Sequence, residues 1–453
     1  MVAFYTQNRV KSFDRKAFEL ECTSLDLKGR GVGRYADVVW FVKGLLPGEK
    51  ARIQPLSKKG ATGEGAIIKL LVKSDQRICS QCVHEKDCGG CPLGHIDPKL
   101  ALEAKADGIR RLFKRQAKIE LGECSFKEQS SIKAYRRACR MAVRVDHGRL
   151  SMGFRSERSK HLCPIKHCEV LSDRINGCLR DLHDCLDALR CRSKVGHAEI
   201  LDSDGDLGIS LRLTCNLPNE DEVKLQVLAE KISAVISVQE PYVEKLGTDR
   251  SEKIRERTVA GDPKRLYIVS AGLKLTCTPN SFVQVNKEMN ERMIARVIEA
   301  LAVKPEMKVI DLFCGLGNFT LPIAKAGASS FGVDIVKAMT DLATANASDN
   351  DLGEAKFVQA DLEAPFEMMS FAKEGYDAAV MDPGRSGAKR ASAYIAKQKV
   401  LKVVLISCNP LATVRDIETF IQAGYKVERW GVVDMFPLTS HVETVIVLSR
   451  YKN

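Results

Sequence analysis

The sequence predicts an α/β protein with three parts: a small N-terminal β-barrel, a mixed α/β central region and a C-terminal doubly wound, mostly parallel sheet. Three observations support this prediction. The 453 residues exceed what one hydrophobic core usually supports. Short alternating segments separated by glycine-rich turns occupy the N-terminal end. From about residue 290 onward, strand-like and helical segments alternate regularly, which is typical of a parallel sheet.

The N-terminal part, assigned to residues 12–74, contains four short alternating segments separated by turns such as GRGVG and LPGE. This pattern is typical of a small all-β barrel. Lys58 and Lys59 are expected in a turn. Because barrels of the oligonucleotide-binding (OB-like) kind present strands and loops to nucleic acid, the pattern indicates a binding module.

The overall charge favours a polyanionic partner. The chain carries 70 Lys and Arg against 58 Asp and Glu, a net charge of +12, and such an excess neutralises phosphates and releases counterions. The apolar runs, such as residues 403–406, are too short to span a bilayer. The first fifteen residues lack the apolar stretch of a secretory signal. We therefore expect a cytoplasmic protein without a membrane partner.

The central part, residues 75–270, opens on a cluster of cysteines spaced Cys79-x2-Cys82-x5-Cys88-x2-Cys91. In a reducing compartment, thiols bind metals or do chemistry more often than they form disulfides. Taken locally, the cluster could form a four-thiolate zinc site, although its inner loop is unusually short. The following stretch, residues 96–125, is expected to be a helix that packs on the C-terminal domain.

A cofactor site is predicted where MKVIDLFCGLGNFTLPIA places Gly315 and Gly317 between an apolar strand and a helix. Asp334 closes the next strand about twenty residues later, as expected of an acid that binds ribose hydroxyls, and Asp361 follows the strand after that. A dinucleotide fold prefers G-x-G-x-x-G, whereas Thr320 stands at the third glycine position. The acidic strand ends, the Asn318 amide and the Phe313 ring fit S-adenosylmethionine better than NAD.

The SCNP motif (407–410) places Cys408 directly after an apolar strand, at the sheet edge where ligands bind in this architecture. A thiol in a polar turn beside a cofactor crevice is exposed enough to react, and neighbouring positive charge lowers its pKa. The MDPGRSGAKR loop follows the preceding strand, so Asp382 and Arg385 are expected to face the same crevice. Cys408 is therefore the candidate nucleophile.

Two ionisable residues, His441 and Glu443, enter the apolar final strand. Ionisable groups are unusual there unless they are paired or functional. Glu443 is the candidate general base, with a structural salt bridge as the alternative.

These motifs together resemble one family. FVQVN (282–286), DLFCGLGNFTLP, DPGRSGA, SCNP and DMFPLTSHVE, in this order, resemble the RNA uracil-5-methyltransferases, and GRGVGR with VKGLLPGE resembles the TRAM domain that precedes their catalytic unit. The resemblance implies a Rossmann-like methyltransferase domain at residues 271–453, with Cys408 as nucleophile and Glu443 as base. It also implies six S-adenosylmethionine contacts, from Gln284, Phe313, Asn318, Asp334, Asp361 and Asp382.

The same resemblance implies a [4Fe-4S] cluster in the central domain. Its ligands are implied to be Cys82, Cys88, Cys91 and Cys168, hereafter the cysteine set. Counting from the matching GFR (153–155) favours Cys168 over Cys163 as the fourth ligand. Zinc bound by the local four cysteines remains the alternative.

The branch of the family that the whole chain resembles modifies 23S ribosomal RNA, which implies a monomer acting on RNA rather than DNA. The implied chemistry is addition of Cys408 to C6 of an unpaired uracil, methyl transfer to C5, and proton removal by Glu443. The YRR segment (residues 135–137) is expected to hold RNA by phosphate contacts and stacking. Three alternatives stay open: the same chemistry on transfer RNA, a noncatalytic RNA-binding protein, and an amino-group methyltransferase.

Overall fold

The computed structural model describes residues 16–157, 159–246 and 249–450. The chain divides into two compact units, one of Met1–Ser80 with Leu93–Ile109 and one of Gln81–Pro92 with Arg110–Asn453. The predicted start of the first domain at residue 12, and the first fifteen residues judged to lack a secretory signal, lie outside the described residues.

The first unit contains a six-stranded sheet with two hydrophobic clusters. Its strands are β1 (Phe18–Glu21), β2 (Ser24–Leu25), β3 (Gly31–Tyr35), β4 (Val38–Val42), β5 (Lys50–Lys59) and β6 (Thr62–Val72), in the order β1-β5-β6-β4-β3-β2. Alternate residues point inward, as Trp40 and Val42 do in β4, because side chains in a strand alternate between faces. Lys58 and Lys59 are exposed and end β5 instead of lying in the turn.

The first helix, α1 (Pro98–Gln116), is shorter than the predicted 96–125. Its start is set by Asp97, whose carboxylate accepts hydrogen bonds from the backbone N–H groups of Lys99 and Leu100. Two residues beyond its end, Lys118 adopts a left-handed φ of 58°, which breaks helical geometry. In the parts of the chain that the structure describes, neither α1 nor any other helix is long and apolar enough to cross a membrane.

The second unit contains a seven-stranded mixed sheet that follows a short strand, β7 (Phe126–Gln129). The strands are β8 (Ala138–Asp146), β9 (Arg149–Arg155), β10 (Leu162–Pro164), β11 (Val195–Asp202), β12 (Leu207–Leu213), β13 (Ala234–Leu246) and β14 (Asp249–Ala260), in the order β10-β9-β8-β11-β12-β13-β14. Helices α2 (Asp173–Ala188) and α3 (Asn219–Ile232) pack on it through buried leucines such as Leu182 and Leu225. The hairpin β15 (Tyr267–Ser270) and β16 (Leu273–Thr276) follows.

The remaining chain builds an eight-stranded sheet, and the predicted alternation of strands and helices is confirmed. Its elements are α4 (Lys287–Leu301), β17 (Lys308–Leu312), α5 (Thr320–Lys325), β18 (Ser329–Asp334), α6 (Lys337–Asp349), β19 (Ala355–Gln359), β20 (Ala378–Met381), α7 (Lys389–Gln398), β21 (Lys402–Ser407), α8 (Pro410–Gln422), β22 (Lys426–Asp434) and β23 (Glu443–Ser449). The order is β19-β18-β17-β20-β21-β23-β22-β7. Strands β17 to β21 are parallel, whereas β23 runs antiparallel to both neighbours. The carboxyl ends of β17, β18, β20 and β21 and the start of β23 therefore share one edge.

Strand β7 was not predicted. It pairs parallel with β22 at the end of the eight-stranded sheet, although it lies in the stretch expected to belong to the central domain. Its sequence, FKEQ, is short and mostly polar, so hydrophobic periodicity carries no signal for it. The chain therefore contributes to this sheet from two separate regions.

Candidate active site

A pocket lies beyond the end of β17, where the chain turns sharply. Phe313 adopts a φ of 72°, a strained conformation for a residue with a side chain, and Gly317 follows with a φ of 90°. The pocket lining includes Gln284, Phe313, Asn318 and Asp382. The structure thus brings four of the six predicted cofactor residues to one pocket.

Asp334 holds the glycine turn in place from the neighbouring strand. Its carboxylate accepts hydrogen bonds from the backbone N–H groups of Gly315 (3.0 Å) and Val336 (2.9 Å). Gly315 itself lines the pocket, so Asp334 lies one contact away from it. This position suits an acid that meets ribose hydroxyls at a strand end.

Asn318 is oriented by a neighbour that the sequence did not reveal. The side-chain amides of Asn318 and Asn290 donate to each other's oxygen atoms at 3.0 and 2.9 Å. Asn290 is buried on α4, 25 residues before Gly315 of the glycine turn, where an asparagine on an otherwise apolar helix face was the available signal.

Asp361 lies apart from the other predicted cofactor residues. It is exposed, and one of its oxygen atoms accepts from the backbone N–H groups of Glu363 (2.9 Å) and Ala364 (3.3 Å). It is not among the residues that line the pocket. It follows β19, whose Gln359 pairs with Asp334, so it belongs to the same sheet edge. Its contact with a cofactor remains a prediction.

Cys408 and Glu443 are placed side by side by strand pairing. Ser407 of β21 lies opposite Thr444 of antiparallel β23, which puts the next pair, Cys408 and Glu443, at the carboxyl edge of the sheet. Cys408 is half-buried, whereas Glu443 is only 6% exposed. The two residues predicted to do the chemistry are therefore neighbours, although thirty-five positions separate them in the sequence.

The surroundings raise the pKa of both groups. Burial, together with the carboxyl of Asp382, raises the pKa of Glu443 to about 8, and the Arg385 guanidinium opposes the rise. Burial raises the pKa of the Cys408 thiol to about 11, with Glu443 and Asp382 adding to the effect and Arg385 opposing it. The expectation that neighbouring positive charge lowers the pKa of this thiol is therefore wrong, because burial and the two carboxyls outweigh Arg385. The resting cysteine is a neutral thiol, and Arg385 is the nearby side chain that favours its thiolate.

The loop that carries Arg385 is held by the helix that follows Cys408. Asn409 caps α8 by accepting from the Leu411 N–H, and its amide donates to the carbonyl of Arg385 at 2.7 Å. The Arg415 guanidinium donates to the carbonyl of Ser386, also at 2.7 Å. These hydrogen bonds fix the loop that carries Arg385 relative to the turn that carries Cys408.

Asp311 is a buried acid that sequence reasoning missed. One carboxylate oxygen accepts from the Thr320 backbone N–H (2.9 Å) and hydroxyl (2.5 Å). The other has no hydrogen-bond partner among the described residues. Burial raises its pKa to about 7, and the nearby Asp382 and Asp334 carboxyls add to the rise. An aspartate inside the apolar strand KVIDL was the sequence signal.

The expectation that the YRR segment contacts RNA is wrong for two of its three residues. Tyr135 is buried, and its hydroxyl donates to the carbonyl of Pro437 at 3.1 Å. Arg137 is buried and forms an ion pair with Asp204 at 3.0 Å. The polar groups of both side chains have partners inside the protein, because burying them without partners is costly.

His441, the alternative base, is exposed, and the centre of its ring lies 5.7 Å from the centre of the Phe436 ring.

The cysteine set lies within the second unit, whereas Cys79 belongs to the first. Burial raises the pKa of the Cys91 thiol to about 12, and the neighbouring sulfur atoms of Cys168, Cys88 and Cys82 add to the rise, so the four thiols are close enough to interact. The Gly90 N–H donates to the Cys88 sulfur at 3.4 Å. Across the described residues, no group of three or more His, Cys, Asp or Glu side chains could hold a metal ion as placed.

Comparisons with known proteins agree with this site. The family model described as tRNA (uracil-5-)-methyltransferase matches residues 98–451. Proteins of Tolumonas auensis and Photorhabdus laumondii, both named 23S rRNA (uracil(1939)-C(5))-methyltransferase RlmD, are each 34% identical over 99% of this chain and 100% of their own length. The solved tRNA (uracil-54, C5)-methyltransferase of Pyrococcus abyssi, in complex with S-adenosyl-L-homocysteine, covers 95% of this chain and 100% of its own at a TM-score of 0.68 and 20% identity, which shows a shared fold.

Proposed function

Because the chain belongs to the tRNA (uracil-5-)-methyltransferase family, we propose that it transfers a methyl group from S-adenosylmethionine to carbon 5 of a uridine in 23S ribosomal RNA. The substrate follows the two full-length relatives named for that reaction. The observation that carries the proposal is the position of Cys408 and Glu443 directly beyond the Ser407–Thr444 pair, close enough to interact electrostatically, beside the pocket that Asp382 lines.

The reaction needs a covalent step because C5 of uracil is too weak a nucleophile at neutral pH. The Cys408 sulfur adds to C6, and the displaced electron pair makes an enolate whose C5 is nucleophilic. S-adenosylmethionine, when bound, would supply the methyl group that C5 takes up and would leave as S-adenosylhomocysteine. Glu443 then accepts the C5 proton, the C5–C6 double bond forms again, and the Cys408 sulfur leaves. The uridine must be unpaired or flipped out for both side chains to reach its ring.

The pKa values suit these roles. A pKa of about 8 places Glu443 close to physiological pH, where a carboxyl group both releases and accepts protons. The Cys408 thiol gives up its proton to solvent before its sulfur attacks C6, and Arg385 stabilises the thiolate charge. Protonated Glu443 favours that first step, since its carboxylate charge would raise the thiol pKa, and Glu443 must release this proton before it can accept the one from C5.

The cofactor-binding residues of the proposal are the six predicted ones. Asp334 and Asp361, at neighbouring strand ends, would bind hydroxyl groups, and the Phe313 ring would form an apolar wall for adenosine. The remaining polar contacts come from Gln284, Asn318 and Asp382 around the same pocket. Gln284 is held near Asp382, with 3.5 Å between the amide nitrogen and a carboxylate oxygen.

We assign the methyltransferase domain to residues 271–453 and RNA-binding roles to the two parts before it. Residues 12–74 would form a TRAM barrel, and residues 75–270 would form a central RNA-binding domain. Exposed Lys58 and Lys59 on the first sheet support phosphate contacts, which position RNA without reading its sequence. The protein would act as a monomer on RNA and not on DNA.

The cysteine set would hold a [4Fe-4S] cluster. Four thiols and a backbone N–H directed at the Cys88 sulfur form a donor set that suits such a cluster, whose tuning depends on hydrogen bonds to sulfur. A cluster of four irons accepts thiolates spaced more widely than a single metal ion does. Bound there, it would tie residues 82–91 to residue 168 and contribute to folding stability.

One experiment tests the proposed function. Labelled S-adenosylmethionine is supplied separately with 23S ribosomal RNA and with transfer RNA, and the labelled nucleotide is mapped. Label on one uridine of 23S RNA is the expected result, lost in Cys408→Ala and kept in Cys185→Ala, a half-buried cysteine on α2. Label on transfer RNA instead would show that transfer RNA is the substrate, and no label on either RNA would contradict an enzymatic role.

A further inference from the structure

The YRR segment is bonded to the stretch of chain that carries the fourth cysteine. Three backbone hydrogen bonds join the two stretches, from Ala134 N–H to Glu169 O (2.9 Å), Arg136 N–H to Val170 O (2.9 Å) and Ser172 N–H to Arg136 O (3.0 Å). The fourth cysteine, Cys168, directly precedes this paired stretch. The position of the YRR backbone and the position of Cys168 are therefore mechanically linked.

The other side of the same segment is bonded to two active-site loops. The Arg137 N–H donates to the carbonyl of Val285 at 2.8 Å, next to Gln284 of the cofactor pocket. The buried Tyr135 hydroxyl donates to the carbonyl of Pro437, in the loop that leads into Glu443. Each bond holds a loop whose side chain takes part in the proposed reaction.

The side chain of Arg136 adds a third contact. Its guanidinium lies 6.0 Å from the centre of the Phe436 ring, at the distance of a cation–π interaction, and also donates to the Ala138 carbonyl. Phe436 belongs to the same loop as Pro437 and packs on His441. The loop before Glu443 is thus held by the YRR segment through both a hydrogen bond and a ring contact.

We propose, on the basis of the proposed function, that the YRR segment is a positioning element that couples the order of the cysteine set to the loops holding Gln284 and Glu443. None of its residues touches the reacting atoms. A rigid segment bonded on both sides passes a displacement of the Cys168 stretch to residues 282–286 and 435–441. An ordered cysteine set would then keep Gln284 and Glu443 in their positions relative to each other.

A pair of matched tyrosine variants tests the link to Glu443. Tyr135→Phe removes one buried hydroxyl that donates to a carbonyl, and Tyr425→Phe removes another, which donates to Val400 at 2.6 Å away from the pocket. Both variants should lose similar stability, because each leaves one buried carbonyl without its donor. We expect only Tyr135→Phe to lower kcat, by about tenfold, because small displacements of reacting groups are costly.

The expected kinetic pattern is specific. In Tyr135→Phe, KM for RNA and the iron content stay unchanged, and the covalent protein–RNA species accumulates, since the base is the displaced group. Equal kcat values in Tyr135→Phe and Tyr425→Phe would overturn the proposal. A merely structural role would lower the thermal midpoint of both variants and trap RNA in neither.

Hydrogen exchange tests the link between the YRR segment and the cysteine set without a measurement of enzymatic activity. In Cys168→Ser we expect faster amide exchange in residues 282–286 and 435–441 but not in β21, because only the first two stretches are tied to the YRR segment. Unchanged exchange in both stretches would refute the coupling. If the wild type failed to methylate RNA, the proposed function would fail, and this exchange result would still decide the inference.

Discussion

Replacing Glu443 by glutamine is expected to change stability and catalysis in ways that a structural role does not predict. The carboxyl of Glu443 has a pKa of about 8 when folded, against 4.5 when free in solution. The native state therefore holds a proton that the unfolded chain has lost, and stability falls as pH rises from 4.5 to about 8. At pH 7 this loss is at most about 3 kcal/mol. Glu443→Gln lacks the titration, so its thermal midpoint should exceed that of the wild type increasingly across this window.

The same change should stop the reaction at a defined step. Glutamine cannot accept the C5 proton, yet neither addition of Cys408 nor methyl transfer needs that carboxylate. Above about pH 8, where the wild-type carboxyl is charged, loss of that charge also lowers the pKa of the Cys408 thiol, which favours addition. The variant should therefore accumulate a covalent protein–RNA species that carries the new methyl group.

The assay is a denaturing gel with labelled S-adenosylmethionine, in which the trapped species runs as a band that disappears in a Cys408→Ala background. Glu240→Gln is the matched control, because Glu240 is also buried but forms ion pairs with Arg255 and Arg257. That variant should be less stable than the wild type and trap no RNA. If Glu443→Gln behaves in the same way and turns over normally, another group is the base, and His441 becomes the next candidate.

Three further predictions concern the thiols. Cys408→Ala should keep its affinity for S-adenosylhomocysteine in calorimetry and lose methyl transfer completely; turnover comparable to the wild type would show that Cys408 is structural. Since the pKa of the Cys408 thiol is about 11, its alkylation by iodoacetamide should accelerate about tenfold per pH unit between pH 7 and 10, measured by peptide mass spectrometry; a rate independent of pH would contradict the raised pKa. Protein purified without oxygen should be brown with about four irons per chain and should lose them in Cys168→Ser; stoichiometric zinc without visible absorbance would favour a zinc site.

Much of the C-terminal sheet could be predicted because its signals are local. Fully apolar strands alternating with amphipathic helices identify a parallel sheet, and a glycine turn after one strand locates the pocket proposed to bind the cofactor. Cys408 and Glu443 were identifiable because each is a reactive or ionisable residue at the end of an apolar strand. These features depend on residues that are close together in the chain, so they can be predicted from hydrophobic periodicity and motif spacing.

Contacts between distant parts of the chain were decided only by the tertiary structure. The four residues of β7 join the eight-stranded sheet, yet FKEQ has no periodicity that marks a strand. The YRR segment is basic in sequence, but Tyr135 and Arg137 are buried because they have partners at Pro437 and Asp204. Cys408 and Glu443 lie at the same sheet edge because β23 enters the sheet antiparallel beside β21. A side chain's burial and pKa depend on which distant strand lies next to it, and local sequence does not encode that choice.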